Sequence, residues 1–548
     1  IIVSLVGSEM CIRDSDCIMN LMVLSASALD ASTLAVDADY CGLDPDMVAM
    51  LALSDEVSRR IANTQPPKRP GDYKKLEGFE KQLVREAQVD EVMNLIRNER
   101  VVPVHKSTVK NLHEIDGQWV TKYKKLLSGL LERVRSRYVV RGDLTQPGLH
   151  YDPEHTWCPV AAKTTTFVLM VLAVQYGLQM WVLDVAKAFT IGKMDRDEIY
   201  MRVPIGFRAQ HPDWCPFGHN TTWLLLCSIY GLKQAAAIYY DTVRALIMNA
   251  VLPCGTNYGF KGSDNDPCFF SRGELGSPRY SCFSMHIDDK FTAFQCDQDR
   301  IEFEGIFKAA GWEYTFEPMK KVLGLSCTYF PWDGKNPVSE TNGCLLRDHA
   351  QYARDGCQRF RAEIEKDPAG YNGKEVPCKP GLADEINKAG LLPVEQHCPK
   401  RESTYRSMLG YLNHTCQFHH VELSFAVSLA GSFMANPSDL HMTLVRNIFQ
   451  YLLGTLSKDT AHQSKILRKD PALFMPNSVV TVMCDADLGA AWNHRSRTAY
   501  FGFLYGNLVG SRSRLQPAVS LSTAEAEFMA LAEASRFALW LKRLLIDL

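Results

Sequence analysis

Residues 280–294 read YSCFSMHIDDKFTAF, with two adjacent aspartates, Asp288 and Asp289, between two apolar runs. Apolar and polar side chains alternate before the pair, which is the period of a half-buried strand. The pattern predicts a hairpin with both carboxylates at its tip. Two interpretations remain open at this point. One is a solvated turn, where Asp is common. The other is a metal site, because adjacent carboxylates repel each other unless a cation lies between them.

A third carboxylate follows a helix and a strand upstream of the hairpin. Apolar residues recur at helical spacing over 167–174, and Gly177 is a natural stop. The stretch LQMWVLDVAKAF at 178–189 then predicts a short strand that ends near Asp184. If this strand neighbours the hairpin, three carboxylates converge at one sheet edge, where they need divalent cations. Oxygen ligands favour Mg²⁺ or Mn²⁺, and two such ions about 3.5–4 Å apart serve phosphoryl transfer at nucleic acids.

Length and composition limit the number of domains and the kinds of partner that the chain can have. A chain of 548 residues predicts about two to four domains. The formal charge of −2 means that a nucleic-acid partner must be held by local basic stripes. The run TKYKKLLSGLLERVRSRYVVRG at 121–142 is such a stripe, and a solvated helix face explains it about as well. The 17 cysteines lack zinc-finger spacing and suggest reduced, intracellular thiols, and no apolar run reaches transmembrane length.

The sequence pattern differs from one segment of the chain to the next. Residues 1–15 look like translated adapter sequence, and 16–80 are expected to be a disordered or linker segment with a Pro- and Lys-rich run. Helical and strand periods alternate over 81–330. Residues 331–400 show no pattern that we can organise, and 403–454 predict helices.

The final part predicts a small α/β segment. SVVTVMCDAD is a strand that reaches Asp485, and TAYFGFLYGNLVGSRS is a hairpin with a turn at Gly506–Asn507. A helix follows, opened by the capping-box pair Ser522 and Glu525, with Glu527 in its early turns.

Four motifs follow one another in the middle of the chain: WVLDVAKAFTIGKMDRDEIYMRVPIGF (181–207), LLCSIYGLKQAAAIYY (225–240), SMHIDD (284–289) and VLGLSC (322–327). In this order and near this spacing they resemble the reverse transcriptase of copia-type LTR retrotransposons. The run YRSMLGYLNHTCQF resembles the segment after that polymerase, and CDADLGAAW with LSTAEAEFMALAEASRFALWLKRLL resembles its RNase H domain. The resemblance covers about residues 85–548.

The resemblance implies an α+β fold of the right-hand polymerase type. Fingers and palm with an antiparallel sheet would occupy 81–330, and a helical thumb- or connection-like region would occupy 331–460. A partial RNase H-like α/β domain would occupy 475–548. The implied function is RNA-directed DNA polymerase, with two Mg²⁺ (or Mn²⁺) ions at the polymerase site.

The resemblance also assigns site residues. Asp184, Asp288 and Asp289 would be the polymerase carboxylates, with Asp184 and Asp288 as principal metal ligands. Arg137, in SRYVVRG, would contact the incoming triphosphate, and Phe189 would exclude a ribose 2′-hydroxyl. Four residues would lie against the nucleotide and template: Tyr230, Gly231, Lys233 and Gln234.

Asp485 and Glu527 match two carboxylates of the family's nuclease, which hydrolyses RNA in an RNA–DNA hybrid. The family has two further acidic positions downstream, and this sequence ends at Leu548. We therefore expect little or no RNase H activity from this polypeptide.

Lys290 departs from the family, which has an apolar residue there, and its ammonium could compete with a metal ion.

Two rival hypotheses stand beside an active polymerase. One is a catalytically inactive remnant that only binds nucleic acid, through the 121–142 stripe and an arginine cluster. That cluster comprises Arg495, Arg497, Arg512 and Arg514. The other rival is a structural subunit.

The family implies an RNA template, a DNA primer, an RNA–DNA hybrid and deoxynucleoside triphosphates as partners, and no membrane. It also implies that the chain is part of a larger Gag-Pol polyprotein. The expected location is intracellular and cytoplasmic, in a virus-like particle.

Overall fold

The computed structural model describes residues 55–68, 70–126, 130–204, 214–252, 254–457, 464–469 and 479–548. Its α-helices are α1 (Asp55–Asn63), α2 (Pro70–Lys74), α3 (Gly78–Arg97), α4 (Lys163–Tyr176), α5 (Ala235–Met248), α6 (Asp297–Ala309), α7 (Ala350–Arg359), α8 (Arg361–Ile364), α9 (Leu382–Ala389), α10 (Pro399–Phe418), α11 (Ser424–Gly431), α12 (Asp439–Leu456) and α13 (Thr523–Ile546). Its strands are β1 (Val101–His105), β2 (Glu114–Ile115), β3 (Gly117–Lys125), β4 (Leu131–Val140), β5 (Gln179–Val185), β6 (Tyr200–Met201), β7 (Thr221–Leu225), β8 (Lys261–Gly262), β9 (Phe269–Arg272), β10 (Ser281–His286), β11 (Asp289–Phe294), β12 (Tyr314–Pro318), β13 (Lys321–Val322), β14 (Leu325–Phe330), β15 (Cys344–Asp348), β16 (Ser464–Arg468), β17 (Val480–Ala486), β18 (Arg497–Leu504) and β19 (Asn507–Leu515).

The chain divides into two compact units. Unit 1 lies within Ile1–Trp157 and Phe189–Thr242, and unit 2 comprises Cys158–Ala188 and Val243–Leu548. In unit 1, β1, β7, β6 and β2 form one sheet, and β3 with β4 forms a separate two-stranded ribbon that packs on α3. A core that includes Val92, Trp223 and Leu225 holds this unit together.

Unit 2 is built on a six-stranded sheet in the order β12-β5-β11-β10-β9-β8. Helix α4 contacts β5, β10 and β11. Residues 168–173 of this helix are completely buried, as expected for a helix that is apolar on all sides. It ends at Gly177, whose φ of 71° is the left-handed conformation that glycine adopts most readily. The helix predicted over 167–174 and the strand predicted within 178–189 are confirmed.

The rest of unit 2 follows the order of the chain. Strands β13 to β16 form a four-stranded sheet, and β17 to β19 form a three-stranded sheet against which α13 packs. The helices predicted over 403–454 are confirmed as α10, α11 and α12, and Ser438 caps α12. The assignment of 331–460 to a thumb- or connection-like region, and of 475–548 to a partial RNase H-like domain, stays a prediction.

Some expectations are corrected by the structure. Helices α1 and α2 lie within the range 16–80, so the prediction of a linker is wrong for them. Residues 1–15, for which we expect adapter sequence, and 16–54 lie outside the described residues. The 331–400 stretch contains β15 and three helices. The turn between β18 and β19 is at Tyr505 and Gly506, both with positive φ, one residue before the predicted place. No described helix is both long and apolar enough to cross a membrane.

Candidate functional site

Three carboxylates lie at one edge of the six-stranded sheet. Strands β10 and β11 pair as far as His286 and Asp289, so the two residues between them form the turn. Strand β5 lies on the other side of β11, where Asp184 is directly opposite Asp289. The backbone N–H of Val185 donates to the Asp288 carbonyl at 3.4 Å. The predicted hairpin is confirmed, and β5 is its neighbour in the sheet.

The surroundings oppose ionisation of Asp289. The pKa of Asp289 is raised to about 6, first because the protein removes water from it and then because Asp288 and Asp184 repel its charge. Burial lowers the pKa of His286, although Asp288 favours its charged form. A cation at this edge would relieve the repulsion.

Lys290 lies beneath the turn and is completely buried. Its Nζ donates to the carbonyl oxygen of Asp288 at 2.8 Å and to that of Ile287 at 3.4 Å. Burial lowers the pKa of Lys290 to about 7, and the three nearby carboxylates oppose that change. Lys290 is opposite Met285 and Leu183, so along the strands it belongs to the sheet face away from the paired aspartates. Its expected competition with a metal ion stays a prediction.

The acids fit a hard divalent cation by chemistry and by position. Carboxylate oxygens are the ligands that Mg²⁺ and Mn²⁺ prefer, and the side chains of Asp184, Asp288 and Asp289 are exposed at the strand ends. Among the described residues, no group of three or more His, Cys, Asp or Glu side chains is arranged to hold a metal ion. The carboxylates would therefore have to draw together around the ions.

A cavity of about 360 Å³ in unit 1 gathers four of the residues expected to bind the nucleotide. Arg137, Phe189, Tyr230 and Gly231 line it. The Arg137 guanidinium lies 4.4 Å from the centre of the Tyr230 ring. Phe189 meets the same ring edge to face, with 5.7 Å between centroids. Tyr230 thus contacts both Arg137, which is expected to bind the triphosphate, and Phe189, which is expected to exclude a ribose 2′-hydroxyl.

The basic stripe is a β-ribbon, so the alternative of a solvated helix face is wrong. Three cross-strand pairs define its basic face: Lys122 with Arg135, Lys124 with Arg133, and Val120 with Arg137. Directly opposite residues share one face, and like charges in such pairs repel. The pKa of Lys124 is lowered by burial first and by the neighbouring arginines next. This face of the ribbon therefore concentrates positive charge.

Two cavity residues on this ribbon, Lys122 and Arg135, were not singled out as nucleotide contacts from the sequence. The signal was present, because basic residues recur at every second position over 122–124 and 133–137. That period is typical of a strand and would have placed these side chains beside Arg137.

The segment after Tyr230 is held close to β4. Gly231 has a φ of 95°, and a Cβ there would lie 2.1 Å from a backbone oxygen of β4, so the close approach requires glycine. Lys233 donates to the Tyr151 hydroxyl at 3.0 Å, and buried Gln234 donates to the His150 carbonyl at 2.9 Å. These two side chains hold the loop at 150–151, and their contact with a nucleotide stays a prediction.

In the C-terminal segment, the two predicted acids lie on different elements. Cys484 is opposite Tyr500, whose ring contacts Phe537 of α13 at 5.1 Å, so this sheet face meets α13. Because side chains alternate along a strand, Asp485 belongs to the other face, while Glu527 is carried by α13. Both carboxylates are exposed, and both act on the Cys484 thiol, whose pKa is raised mainly by burial.

Two of the four arginines in the C-terminal cluster bind other side chains of the protein. Arg497 is buried and donates to the Ser428 hydroxyl of α11. Arg514 forms an ion pair with Glu533 of α13. These two side chains fasten β18 and β19 to neighbouring helices, which weakens the case for the cluster as a nucleic-acid surface.

Parts of the chain are similar to known proteins. Residues 102–326 match the family model described as reverse transcriptase (RNA-dependent DNA polymerase). The chain is 25% identical over 435 residues to the retrovirus-related Pol polyprotein from transposon TNT 1-94 of Nicotiana tabacum, covering 79% of this chain and 29% of that protein. It is also 25% identical over 436 residues to the Pol polyprotein from transposon RE2 of Arabidopsis thaliana, covering 79% of this chain and 26% of that one.

The chain thus spans between a quarter and a third of the length of these relatives. Among solved structures, the foamy viral protease-reverse transcriptase in complex with double-stranded DNA is similar with a TM-score of 0.42 and 11% identity. The match covers 98% of this chain and 75% of that one.

Proposed function

We propose that the chain is an RNA-directed DNA polymerase of the copia type, and that residues 102–326, which match the reverse transcriptase family model, form its polymerase domain. The observation that carries this proposal is the pairing of β5 with the β10–β11 hairpin, which sets Asp184 opposite Asp289 and next to the turn that holds Asp288. Strands from distant parts of the sequence thereby bring three acids to one edge, and the family motif surrounds each of them.

Asp184, Asp288 and Asp289 would hold two Mg²⁺ or Mn²⁺ ions, with Asp184 and Asp288 as principal ligands. When bound, such ions favour loss of the proton from a primer 3′-hydroxyl and stabilise the leaving pyrophosphate. The chain's own contribution is a set of carboxylates held together against their repulsion. Burial is the first cause of the raised pKa of Asp289, and the second cause, repulsion by Asp288 and Asp184, is the one that a cation would relieve and that supports this proposal.

The cavity in unit 1 would receive the incoming deoxynucleoside triphosphate. Arg137 would donate to phosphate oxygens, and its guanidinium lies over the Tyr230 ring at 4.4 Å from the ring centre. Lys122 and Arg135 would add positive charge to the same wall. Phe189 would block the 2′ position of the sugar and so favour deoxynucleotides over ribonucleotides.

The basic face of the β3–β4 ribbon supports nucleic acid as the partner. Its cations repel each other in the free protein, so phosphate binding would relieve the repulsion and release counterions. We infer that the RNA template, the DNA primer and their hybrid are bound by such contacts. Binding should therefore weaken steeply as the salt concentration rises.

The C-terminal segment would contribute little RNase H activity. Asp485 and Glu527 remain its proposed acidic residues, yet the strand register directs Asp485 away from the helix that carries Glu527. A two-metal nuclease needs its carboxylates at one point. We further propose that the chain works within a larger Gag-Pol polyprotein in a cytoplasmic virus-like particle. The names of the matched relatives, which are Pol polyproteins, support the polyprotein part of this proposal.

Primer extension by the full chain on a primed RNA template tests the proposal against a protein that only binds nucleic acid. The polymerase account predicts a DNA product that requires both Mg²⁺ and deoxynucleotides. Salt-sensitive binding of the primed template without extension would instead support the binding-only remnant, which the basic ribbon favours as the second candidate. Absence of both binding and extension would support a structural role.

A further inference from the structure

The turn that carries Asp288 has an unusual backbone. It consists of Ile287 and Asp288, and Ile287 has a φ of 58°. Only the first of the two turn residues has positive φ, which is the pattern of a type II′ turn, where glycine is the preferred residue. A β-branched side chain is disfavoured in this conformation. The turn is therefore strained at the residue next to the proposed metal ligand.

One buried side chain contacts both carbonyls of this turn. Lys290 is completely buried, and its Nζ donates to the Asp288 oxygen at 2.8 Å and to the Ile287 oxygen at 3.4 Å. A hydrogen bond is stronger away from water, and a buried carbonyl that loses its donor costs stability. The buried amine thus bonds the carbonyl of the strained residue and that of the residue after it.

We propose that Lys290 is a positioning residue, whose side-chain amine donates hydrogen bonds that hold the strained turn in place and so fix where the Asp288 carboxylate lies. The consequence for catalysis rests on the proposed polymerase function, and the structural brace does not. This role differs from competition with a metal ion, which would make Lys290 harmful to the site. The two accounts predict opposite effects when the ammonium is removed.

A double-mutant cycle in metal-free buffer tests the brace without any need for activity. It compares Lys290→Met, Ile287→Gly and the double variant by thermal unfolding of the full chain. We expect Lys290→Met to lower Tm by a few degrees. We expect the decrease in Tm caused by Lys290→Met to be at least halved in the Ile287→Gly background, because glycine adopts positive φ without strain. A rise in Tm, or an equal loss in both backgrounds, would overturn the proposal.

Lys163→Met is the matched control. Lys163 is partly buried, donates to the Gln417 carbonyl at 3.2 Å and lies on α4, so its effect should be the same with and without Ile287→Gly. If Lys290→Met does not fold, Lys290→Leu takes its place under the same criterion, because leucine also fills the buried position with an apolar side chain and has no hydrogen-bond donor.

Primer extension then separates this inference from the proposed function. We expect Lys290→Met to lower the extension rate and Ile287→Gly to restore part of it. If the effects of the two substitutions on Tm are coupled but neither the native chain nor any variant extends the primer, the result supports the brace and rejects the polymerase function. Extension by the native chain without coupling in Tm would keep the polymerase and reject the brace.

Discussion

Asp184 and Asp289 are directly opposite each other on neighbouring antiparallel strands. Such pairs bring Cβ atoms to about 4.5–5.5 Å, and like charges in this position destabilise the sheet. The arrangement costs stability in the free protein, so a stabilising partner is the natural explanation. Under the proposed function that partner is a pair of divalent cations.

Arg137→Ala should weaken nucleotide binding more than it slows the chemical step. The guanidinium is stacked on Tyr230 and would form charge-assisted hydrogen bonds to phosphate, so we expect the KM for deoxynucleotides to rise roughly 10- to 100-fold. Arg137→Lys should fall between the native chain and Arg137→Ala, because it keeps the charge and loses the planar fork. Steady-state primer extension measures both. Arg141→Ala, at an exposed residue that pairs with Asp143, is the control, and an equal effect there would contradict the assignment.

Phe189→Val should relax the choice of sugar. Phe189 contacts Tyr230 and Tyr239 and lines the cavity, so a smaller side chain opens space at the expected 2′ position. We expect the preference for deoxynucleotides over ribonucleotides to fall roughly 10- to 100-fold in single-nucleotide incorporation. Phe217→Val, at an exposed phenylalanine of the same unit, should leave the preference unchanged. An unchanged preference in Phe189→Val would remove this residue from the site.

Acid should destabilise unit 2 through His349. This side chain is 2% exposed and stacks on Tyr352, and burial first, then the nearby histidines, lowers its pKa to about 3. A histidine that is neutral when folded contributes its full stability above the ordinary pKa of about 6.5. Its contribution falls as the pH drops toward 3, by up to about 1.4 kcal/mol per pH unit.

His349→Phe removes the proton acceptor and keeps an aromatic ring in the stack. Its Tm should therefore fall less than that of the native chain when the pH is lowered from 7.5 to 4.5. His219→Phe, at an exposed histidine, should follow the native chain. Parallel curves for His349→Phe and the native chain would show that other groups set the acid sensitivity.

The sequence predicted the elements whose pattern is local. The Asp288–Asp289 hairpin, the helix before Asp184 and the helices over 403–454 each have a clear period and a recognisable start or stop. The structure of the stripe at 121–142 was ambiguous because the number of basic residues does not distinguish a helix from a strand. Their spacing, at every second position, does distinguish them. Residues 331–400 could not be organised because their short elements are stabilised by packing with distant helices, including the contacts of α7, α8 and α9 with α12.

The details of the site depended on tertiary structure. Sequence spacing suggested that Lys290 lies near Asp288, and only the fold shows that its ammonium is buried and bonded to turn carbonyls. In the same way, a glycine at 231 suggests a turn, whereas its close approach to β4 is a property of the folded chain. The opposite faces of Asp485 and α13 also follow from strand register, which one sequence does not reveal.

The most direct test of the central claim is single-nucleotide incorporation by Asp184→Asn on a primed RNA template with Mg²⁺. Asn keeps the shape of the side chain and removes its charge. The control is Asp297→Asn, at an exposed acid in the first turn of α6 that pairs with Arg300. We predict that Asp184→Asn loses at least about 100-fold in rate while it still binds the primed template, and that Asp297→Asn keeps the native rate. Native activity in Asp184→Asn would contradict a catalytic centre at this sheet edge.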